Sequence, residues 1–326
     1  MKFLPVLVST LALALATAFG TAGVSAQETY PVKPVRIVVP FPPGGGGDAV
    51  VRIIASSLGQ RLGQPVVIEN RPGASGYIGA QAVANAAPDG YTILMGFDGS
   101  VVVAPRLIKA PFDLLADFAP ITKLNDATLV LAAHPSVGAK TLKELVELSK
   151  TRPGGLAYGS SGPATTTHLA GVLLAQRAGM NLTHVPYKGG GQAVTDVVGG
   201  QIPLIFTVLP TVSAFIKDGR LNAIAVASAK RSAVLPETPT MVESGLAGFE
   251  VNSWYGLFAP ARTPKVVIDR LQTEVAAVLA QPEIRERYLN AGLEPVGNKP
   301  GEFAEQVKND IHRWQKVVKE ADIRID

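Results

Sequence analysis

Short apolar segments alternate with segments of helical periodicity along most of the chain. The apolar segments predict β-strands at residues 35–40, 65–69, 91–95, 128–133, 202–207 and 221–227. Segments with one apolar face at helical spacing occur at residues 51–62, 79–86, 142–151, 166–178 and 192–199. Because strands that alternate with helices pair in parallel sheets, the pattern predicts an α/β fold with helices on both faces of each sheet.

Two further helices are predicted near the C-terminus. Thr263 and Pro264 supply a capping hydroxyl and an N1 proline at the start of the first. The second carries the apolar stripe Phe303, Val307, Ile311, Trp314 and Val318, so Trp314 is predicted to lie in the core.

The length of 326 residues suits one large or two medium domains. No disordered linker is visible, so we expect the chain to cross between domains through ordered segments at residues 121–126 and 249–258. This predicts one domain of residues 27–124 plus 251–326 and a second of residues 125–250, each built on a mainly parallel sheet.

The N-terminus has the pattern of a secretory signal peptide. Lys2 precedes an Ala/Leu-rich apolar stretch that ends at Phe19, and Val24-Ser25-Ala26 fits a small-x-Ala cleavage site. We expect cleavage after Ala26 and a periplasmic location; an uncleaved anchor helix is the alternative, although the stretch is short for a membrane span.

Composition excludes several function classes. The chain has no cysteine, which excludes disulfides, thiolate metal sites, a catalytic cysteine and lipidation of a cysteine. The net charge of +4, which becomes +3 without Lys2, is not concentrated in basic blocks, so no nucleic-acid partner is predicted.

Signatures of catalysis are also missing. The sequence contains neither G-x-S-x-G nor H-E-x-x-H. His134, His168, His184 and His312 lack metal-ligand spacing, so a structural role is expected for each and no metal or cofactor is predicted.

A strand end, a Gly/Ser/Thr-rich loop and a helix start occur together four times. The loops are FPPGGGGD at residues 41–48, PGASGYI at 72–78, GSSGPATTTH at 159–168 and YKGGGQ at 187–192. Such loops present unpaired N–H groups of the first helical turn, and the helix dipole adds partial positive charge. Tight turns also use glycine, but four such loops favour a cleft for a small anion, a carboxylate above all, at the carboxyl edge of the strands.

A dinucleotide site is the alternative interpretation of the first loop. Gly44, Gly46 and Ala49 satisfy G-x-G-x-x-A, and Glu69 follows Gly44 by 25 residues (69 − 44), near the place of a ribose-binding acid. The stiff Pro42-Pro43 pair, the predicted export and the ease with which four glycines meet the pattern count against it.

The sequence also resembles a known family. YPVKPVRIVVPFPPGGGGD, LGQPVVIENRPGASG, APDGYTIL, HLAG, HVPYKGGGQAVTDVVGGQI and SWYGLFAPARTP are similar to motifs of the tripartite tricarboxylate transporter receptors, or Bug (TctC-type) family. The resemblance extends from about Tyr30 to the C-terminus. It implies a type II-like periplasmic binding protein whose two α/β domains close over a ligand in the cleft between them.

The resemblance also implies a set of ligand-binding residues. They are Phe41, Pro42, Pro43, Gly44, Gly45, Gly46, Ala74, Ser75 and Gly76 in the first domain, Ser160, Ser161, Gly162, Thr165 and Thr166 in the second, and Tyr187 and Lys188 near the rim or hinge. Lys188 is either a charge partner for a carboxylate or a solvated lysine. Asp48, in the first turn of a helix, is expected to stabilise that helix.

Two departures from the family pattern bear on the ligand. Many relatives have small polar residues where this chain has Phe97-Asp98-Gly99-Ser100, and many have F-D-N-L-P where this chain has F-T-V-L-P, with Thr207 and Val208. One hypothesis is that Asp98 pairs with a donor or cationic group of the solute while Phe97 packs on its apolar part. The alternative is that Asp98 caps a turn.

We therefore expect a monomeric periplasmic receptor without enzymatic activity. It would capture a small organic carboxylate by hinge closure and deliver it to the membrane permease subunits of a tripartite tricarboxylate transporter. Dicarboxylates, tricarboxylates, amino acids and aromatic acids all remain possible solutes, and the resting cleft is expected to be open. The alternatives are a receptor that signals to a partner and an exported dinucleotide-binding enzyme.

Overall fold

The computed structural model describes residues 30–324, so the predicted signal peptide of residues 1–26 lies outside the described residues. The strands are β1 (Val35–Val39), β2 (Val66–Asn70), β3 (Thr92–Phe97), β4 (Phe118–Ala133), β5 (Leu156–Ser160), β6 (Leu182–Pro186), β7 (Leu204–Val208), β8 (Asn222–Val226), β9 (Asn252–Pro260) and β10 (Leu293–Pro295). The helices are α1 (Gly46–Leu62), α2 (Tyr77–Ala84), α3 (Leu114–Asp117), α4 (Leu142–Thr151), α5 (Thr166–Ala178), α6 (Gly190–Val198), α7 (Ser213–Lys217), α8 (Lys265–Leu279), α9 (Pro282–Asn290) and α10 (Pro300–Glu320).

The strands form one sheet in the order β2-β1-β3-β9-β4-β7-β5-β6, with β10 and β8 also paired to β4. The long strand β4 divides this sheet into two halves. Its residues 118–128 pair with β9, and its residues 129–133 pair with β7 and β8. Each half therefore has its own group of strands, and β4 is continuous through both.

Sheet polarity differs from the predicted mainly parallel arrangement. β1 pairs in parallel with β2 and β3, and β5 pairs in parallel with β6 and β7. The pairs β3·β9, β9·β4 and β4·β7 are antiparallel, so the sheet is mixed. The predicted crossing at residues 121–126 lies within β4, and the one at residues 249–258 lies in β9 from Asn252 onward. Hydrophobic periodicity carries no information about strand direction, so the sequence could not predict the antiparallel pairs.

Local signals explain several helix ends. Helix α1 ends at Gly63, which adopts the left-handed conformation with φ 70°. Helix α4 begins with a capping box between Thr141 and Glu144. The predicted cap at Thr263 is wrong: Pro264 is the N-cap of α8, and within the described residues the Thr263 hydroxyl has no hydrogen-bond partner.

Apolar side chains cover both faces of the sheet. Ile37 and Val38 are adjacent in β1 and point to opposite faces, where each is fully or almost fully buried. Ile37 packs in a cluster with α1 and α8, whereas Val38 belongs to a cluster that includes Trp314 of α10 and continues into the second half. The core position predicted for Trp314 is confirmed. Burial of an aliphatic side chain such as Ile37 or Val38 contributes roughly 1.5–3 kcal/mol to stability.

Within residues 30–324, none of the helices has both the length and the apolar character that a membrane span requires.

Candidate functional site

The loop from β1 to α1 brings the first glycine run to the sheet edge. Gly44 has φ 82°, a conformation that favours glycine, and the N-cap Gly45 provides no side-chain cap for the first turn of α1. The N–H groups of this turn are therefore available to a ligand.

Asp48 holds this loop from behind. Its carboxylate accepts hydrogen bonds from Gly44 N (3.0 Å), Arg52 Nε (2.8 Å) and Asn70 Nδ2 (3.0 Å). Burial opposes the charged form, but the bonds from Arg52, Gly44 and Asn70 together hold the pKa of Asp48 below its ordinary value. The prediction that Asp48 stabilises the helix start is confirmed.

The loop before α6 lies directly opposite. Its N-cap Gly189 also lacks a side chain that could cap the helix. A Cβ atom on Gly191 would lie 3.3 Å from Gly44 C and Gly45 N, so the two glycine loops are in contact across the cleft. The N-termini of α1 and α6 consequently face the same small space, and both contribute partial positive charge to it.

We call this space the glycine pocket. Its volume is about 20 Å³, and it is lined by Phe41, Pro42, Gly45, Gly46, Gly47, Phe97, Ser161, Gly189, Gly190, Gly191, Val208, Thr211 and Tyr255. These residues come from both halves of the sheet. None of these described lining residues carries a charged side chain.

Hydroxyl groups surround the two helix N-termini. Thr207 Oγ1 and Thr211 Oγ1 are buried and have no hydrogen-bond partner among the described residues. A Cβ atom on Gly190 would lie 2.9 Å from Thr207 Oγ1 and 3.3 Å from Ser161 Oγ, which places both hydroxyls beside the first residue of α6. Burial of a hydroxyl without a partner is costly, and Thr207 and Thr211 therefore keep unused hydrogen-bonding capacity near the N-termini of α1 and α6.

Aromatic rings form the other wall of the glycine pocket. Phe41 meets Phe97 edge to face at 5.8 Å between ring centroids, and Phe97 stacks on Tyr255 at 5.3 Å. All three side chains are at least 94% buried. The pocket therefore combines polar donors at the helix ends with an uncharged, apolar side.

Asp98 does not line the glycine pocket. It is 2% exposed, and its carboxylate accepts hydrogen bonds from Thr166 Oγ1 (3.0 Å), from Ser253 Oγ and from Trp254 N (3.4 Å). We call these four residues the Asp98 cluster. Burial raises the pKa of Asp98 to about 7, and the bonds from Ser253 and Thr166 act against this rise. The structure gives no support to the hypothesis that Asp98 pairs with the solute.

A second contact between the halves lies beside the Asp98 cluster. Ser75, in the 3₁₀ turn Ala74–Gly76, donates a hydrogen bond to Pro163 O at 2.9 Å. Thr165 Oγ1 donates to Gly162 O at 2.8 Å and fixes the loop that receives Ser75. Ser100 Oγ is buried without a partner among the described residues and would lie 3.0 Å from a Cβ atom on Gly76.

Ser160, Tyr187 and Lys188 were also predicted and do not line the glycine pocket. Ser160 Oγ lies 2.7 Å from His184 Nε2, and the His184 ring stacks on His168 at 3.7 Å. Burial lowers the pKa of both histidines, to about 4 for His168 and, with a further effect of His168, to about 3 for His184, as expected for neutral structural residues. Tyr187 donates to Asp196 Oδ2 at 2.6 Å, and Lys188 is exposed.

Of the implied residues, six line the glycine pocket: Phe41, Pro42, Gly45, Gly46, Phe97 and Ser161. Thr211 and Tyr255 line it but were not predicted. Tyr255 belongs to the quoted stretch SWYGLFAPARTP, so a signal was present, but only the pairing of β9 with β3 brings its ring to the loop after β1.

The structure also bears on a metal site and on the dinucleotide site. Within residues 30–324 no group of three or more His, Cys, Asp or Glu side chains is arranged to hold a metal ion. Glu69, the candidate ribose-binding acid, is bound by Arg36 (3.0 Å) and by Arg71, which leaves it engaged on the exposed side of β2.

Comparison with known proteins gives consistent matches. The family described as "Tripartite tricarboxylate transporter family receptor" matches residues 50–323. The chain is similar to the structure of periplasmic binding protein BugD, at 38% identity and a TM-score of 0.86, covering 90% of this chain and 99% of that one. It is also similar to R. palustris Rpa4515 with adipate (34%, TM-score 0.87, 90% and 99% covered) and to MatC (Rpa3494) from Rhodopseudomonas palustris with bound malate (33%, TM-score 0.85, 89% and 100% covered).

Proposed function

The chain belongs to the tripartite tricarboxylate transporter receptor family, and we propose that it captures a small organic carboxylate in the glycine pocket. The observation that carries this proposal is the meeting of two helix N-termini without a side-chain cap, those of α1 and α6, with the hydroxyls of Thr207 and Thr211, which have no partner within residues 30–324. N–H and O–H donors around a carboxylate give charge-assisted hydrogen bonds, which are stronger than neutral ones. The adipate and malate held by two structural neighbours support the same ligand class.

Capture requires the two halves to separate and close. The pocket of about 20 Å³ has room for about one water molecule, whereas small-molecule sites usually enclose about 300–1,000 Å³. This volume and the contact between the two glycine loops support a closed conformation, where the sequence predicted an open resting cleft, and a solute would enter only after the halves move apart. A ligand that contacts α1 and α6 together favours closure, because those contacts exist only in the closed form.

The proposed moving units are the predicted domains, residues 27–124 plus 251–326 and residues 125–250. Support comes from β4, which pairs with β9 on one side of Thr128 and with β7 and β8 on the other. Bending at β4 and at the start of β9 would separate the two groups of strands while each keeps its own parallel pairs.

Delivery to membrane permease subunits completes the proposed role. The proposal further includes a periplasmic location after removal of residues 1–26, a chain that is neither lipidated nor an enzyme, and a monomeric state. A receptor that presents its closed form to a signalling partner is the second candidate, and it uses the same closure.

A thermal-shift panel of the purified protein tests the ligand class. Adipate, malate, citrate and benzoate are compared with glucose; a carboxylate at 100 times its Kd raises the stability by about 2.7 kcal/mol. A protein stabilised by glucose and by none of the acids would contradict the proposal.

A glycine substitution tests whether the carboxylate binds in the glycine pocket. A Cβ atom on Gly46 would lie 2.5 Å from both Tyr255 Oη and Val208 Cγ2, so Gly46→Ala should obstruct closure and weaken binding about tenfold or more. Gly301→Ala is the matched control, because a Cβ atom there meets nothing within 4 Å. Isothermal titration with the stabilising acid measures both variants; equal affinities would place the ligand elsewhere.

A further inference from the structure

The Asp98 cluster joins the two halves of the molecule. Asp98 follows β3 in the first half, whereas Thr166 is the first residue of α5 in the second, and their hydrogen bond of 3.0 Å crosses between the halves. We propose that this contact makes closure sensitive to protons: protonation of Asp98 favours the closed conformation, and its ionisation favours separation of the halves. The inference rests on the proposed movement of the halves and not on the identity of the solute.

The contact between Asp98 and α5 is closely packed as well as hydrogen-bonded. A Cβ atom on Gly99 would lie 2.7 Å from Thr166 N and 2.9 Å from Thr166 Oγ1, so the backbone after Asp98 lies directly against the start of α5. Asp98 is 2% exposed in this arrangement. Because Thr166 belongs to the other half, separation of the halves would remove this cover and give the carboxyl group access to water.

The surroundings of Asp98 disfavour a negative charge. Its hydrogen-bond partners within residues 30–324 are hydroxyl and backbone N–H groups, which carry no net charge. Asp310 of α10, which accepts the indole N–H of Trp254 at 2.8 Å, adds a second carboxylate on this side. Burial raises the pKa of Asp98 to about 7; the bonds from Ser253 and Thr166 act against this rise, and Asp310 adds to it.

The neighbouring tyrosine and histidines do not titrate between pH 5 and pH 8. Burial, together with the charge of Asp98, raises the pKa of Tyr255 of β9 well above its ordinary value. On α5, burial lowers the pKa of His168 to about 4, and the pKa of His184, which stacks on it, falls to about 3 through burial and the effect of His168. These three groups therefore stay neutral in the range where Asp98 changes its charge.

The direction of the effect follows from linkage. A carboxyl group in water has a pKa near 4, so the closed form binds this proton more tightly than the open form. The ratio of closed to open molecules should therefore fall as pH rises from about 4 to about 7. A complete change of the pKa from 3.8 to about 7 corresponds to a fall on the order of 80-fold between pH 5 and pH 8. We expect at least about tenfold, because β9 and α10 still cover part of Asp98 in the open form.

Two introduced cysteines allow closure to be measured, because the chain has none of its own. Gln60→Cys on α1 and Thr195→Cys on α6 place one exposed spin label on each half. Pulsed electron paramagnetic resonance gives the distances between the labels at pH 5 and pH 8. The measurement is made without ligand and with the acid among adipate, malate, citrate and benzoate that gives the largest thermal shift, at the concentration that closes half of the molecules at pH 5.

The labelled protein should lose closed molecules as pH rises, with the ratio of closed to open falling at least about tenfold. In Asp98→Asn the ratio should change by less than about twofold. Glu147→Gln, which alters an exposed acid on α4, is the matched control and should behave as the wild-type sequence. A ratio that changes no more than in Asp98→Asn, or that rises with pH, would overturn the inference.

A second variant keeps the test decisive if Asp98→Asn is shown by circular dichroism not to fold. Thr166→Val removes the bond that stabilises the ionised carboxylate across the halves, so it should lower the closed fraction further at pH 8 than at pH 5. An equal effect at both pH values would overturn the inference. Distances that respond to the acid but not to pH would overturn it alone, and distances that respond to neither would also contradict the proposed movement of the halves.

Discussion

The glycine pocket and the Asp98 cluster are neighbours that use the same helix chemistry in opposite ways. In the Asp98 cluster, the protein itself places a carboxylate beside Thr166, the first residue of α5. In the glycine pocket, the N-termini of α1 and α6 and the hydroxyls of Thr207 and Thr211 receive no acceptor from the described residues. Asp48 also lies in the first turn of α1, but its carboxylate is bonded to Gly44, Arg52 and Asn70 and does not line the pocket. The comparison is therefore between a helix start that the chain's own carboxylate occupies and two helix starts that it leaves open to a ligand.

The largest expected effect is on the pH dependence of stability, and it tests the buried carboxylate of Asp98. Burial, together with Asp310, raises the pKa of Asp98 from 3.8 to about 7, so the native state holds this proton more tightly than the unfolded chain. Asp98 therefore lowers the free energy of unfolding as pH rises from about 4 to about 7, by a total of about 4 kcal/mol. Asp98→Asn should remove this dependence.

Urea unfolding of wild type and Asp98→Asn between pH 4 and pH 8 measures the difference. The stability of the variant relative to wild type should increase with pH across this range and level off above about pH 7. A difference that stays constant, or that falls as pH rises, would show that Asp98 is not buried as described.

A smaller effect is expected for the donor that joins α5 to Asp98. Thr166→Val keeps the shape of the side chain but removes the hydrogen bond to the carboxylate, which should cost about 1–3 kcal/mol near pH 8. Urea denaturation measures this loss. In the Asp98→Asn background the cost should be less than half as large, and an unchanged cost would contradict a direct interaction.

The smallest effect on stability is expected at the matched position in the glycine pocket. Thr211→Val removes a hydroxyl whose burial without a partner among the described residues is a cost, so the free energy of unfolding should not fall and should rise by about 1 kcal/mol. Affinity for the stabilising carboxylate should nevertheless fall about tenfold, because one donor to the ligand is lost. If Thr211→Val were as destabilising as Thr166→Val, the distinction between the two regions would fail.

Much of the local structure was predictable. The bounds of α4 and α5 agree with the predicted residues 142–151 and 166–178, because Thr141 supplies a capping hydroxyl and the apolar spacing is regular. β5 and β6 were missed, and β4 begins at Phe118 instead of residue 128. Period-2 patterns are weak in short strands such as LAYGS, and a strand shared by two sheet halves does not keep one buried face along its length.

The candidate site was predictable in part, for a related reason. Phe41 to Gly46 and Ser161 stand in glycine- or serine-rich loops whose composition is visible in the sequence. Tyr255 belongs to one of the family motifs, but only the pairing of β9 with β3 brings it to the pocket, and no local pattern marks Thr211. Asp98 illustrates the limit most clearly: its position after β3 was evident, but the direction of its carboxylate depends on Thr166 and Ser253.

The α/β class, the four loops and the family could be recognised without a structure, because they depend on residue spacing and on short motifs. Which helix N-termini remain without an acceptor depends on tertiary packing. For Asp98 the partners are side chains 68 and 155 residues away along the chain, one on helix α5 and one on strand β9, which meet it through tertiary packing.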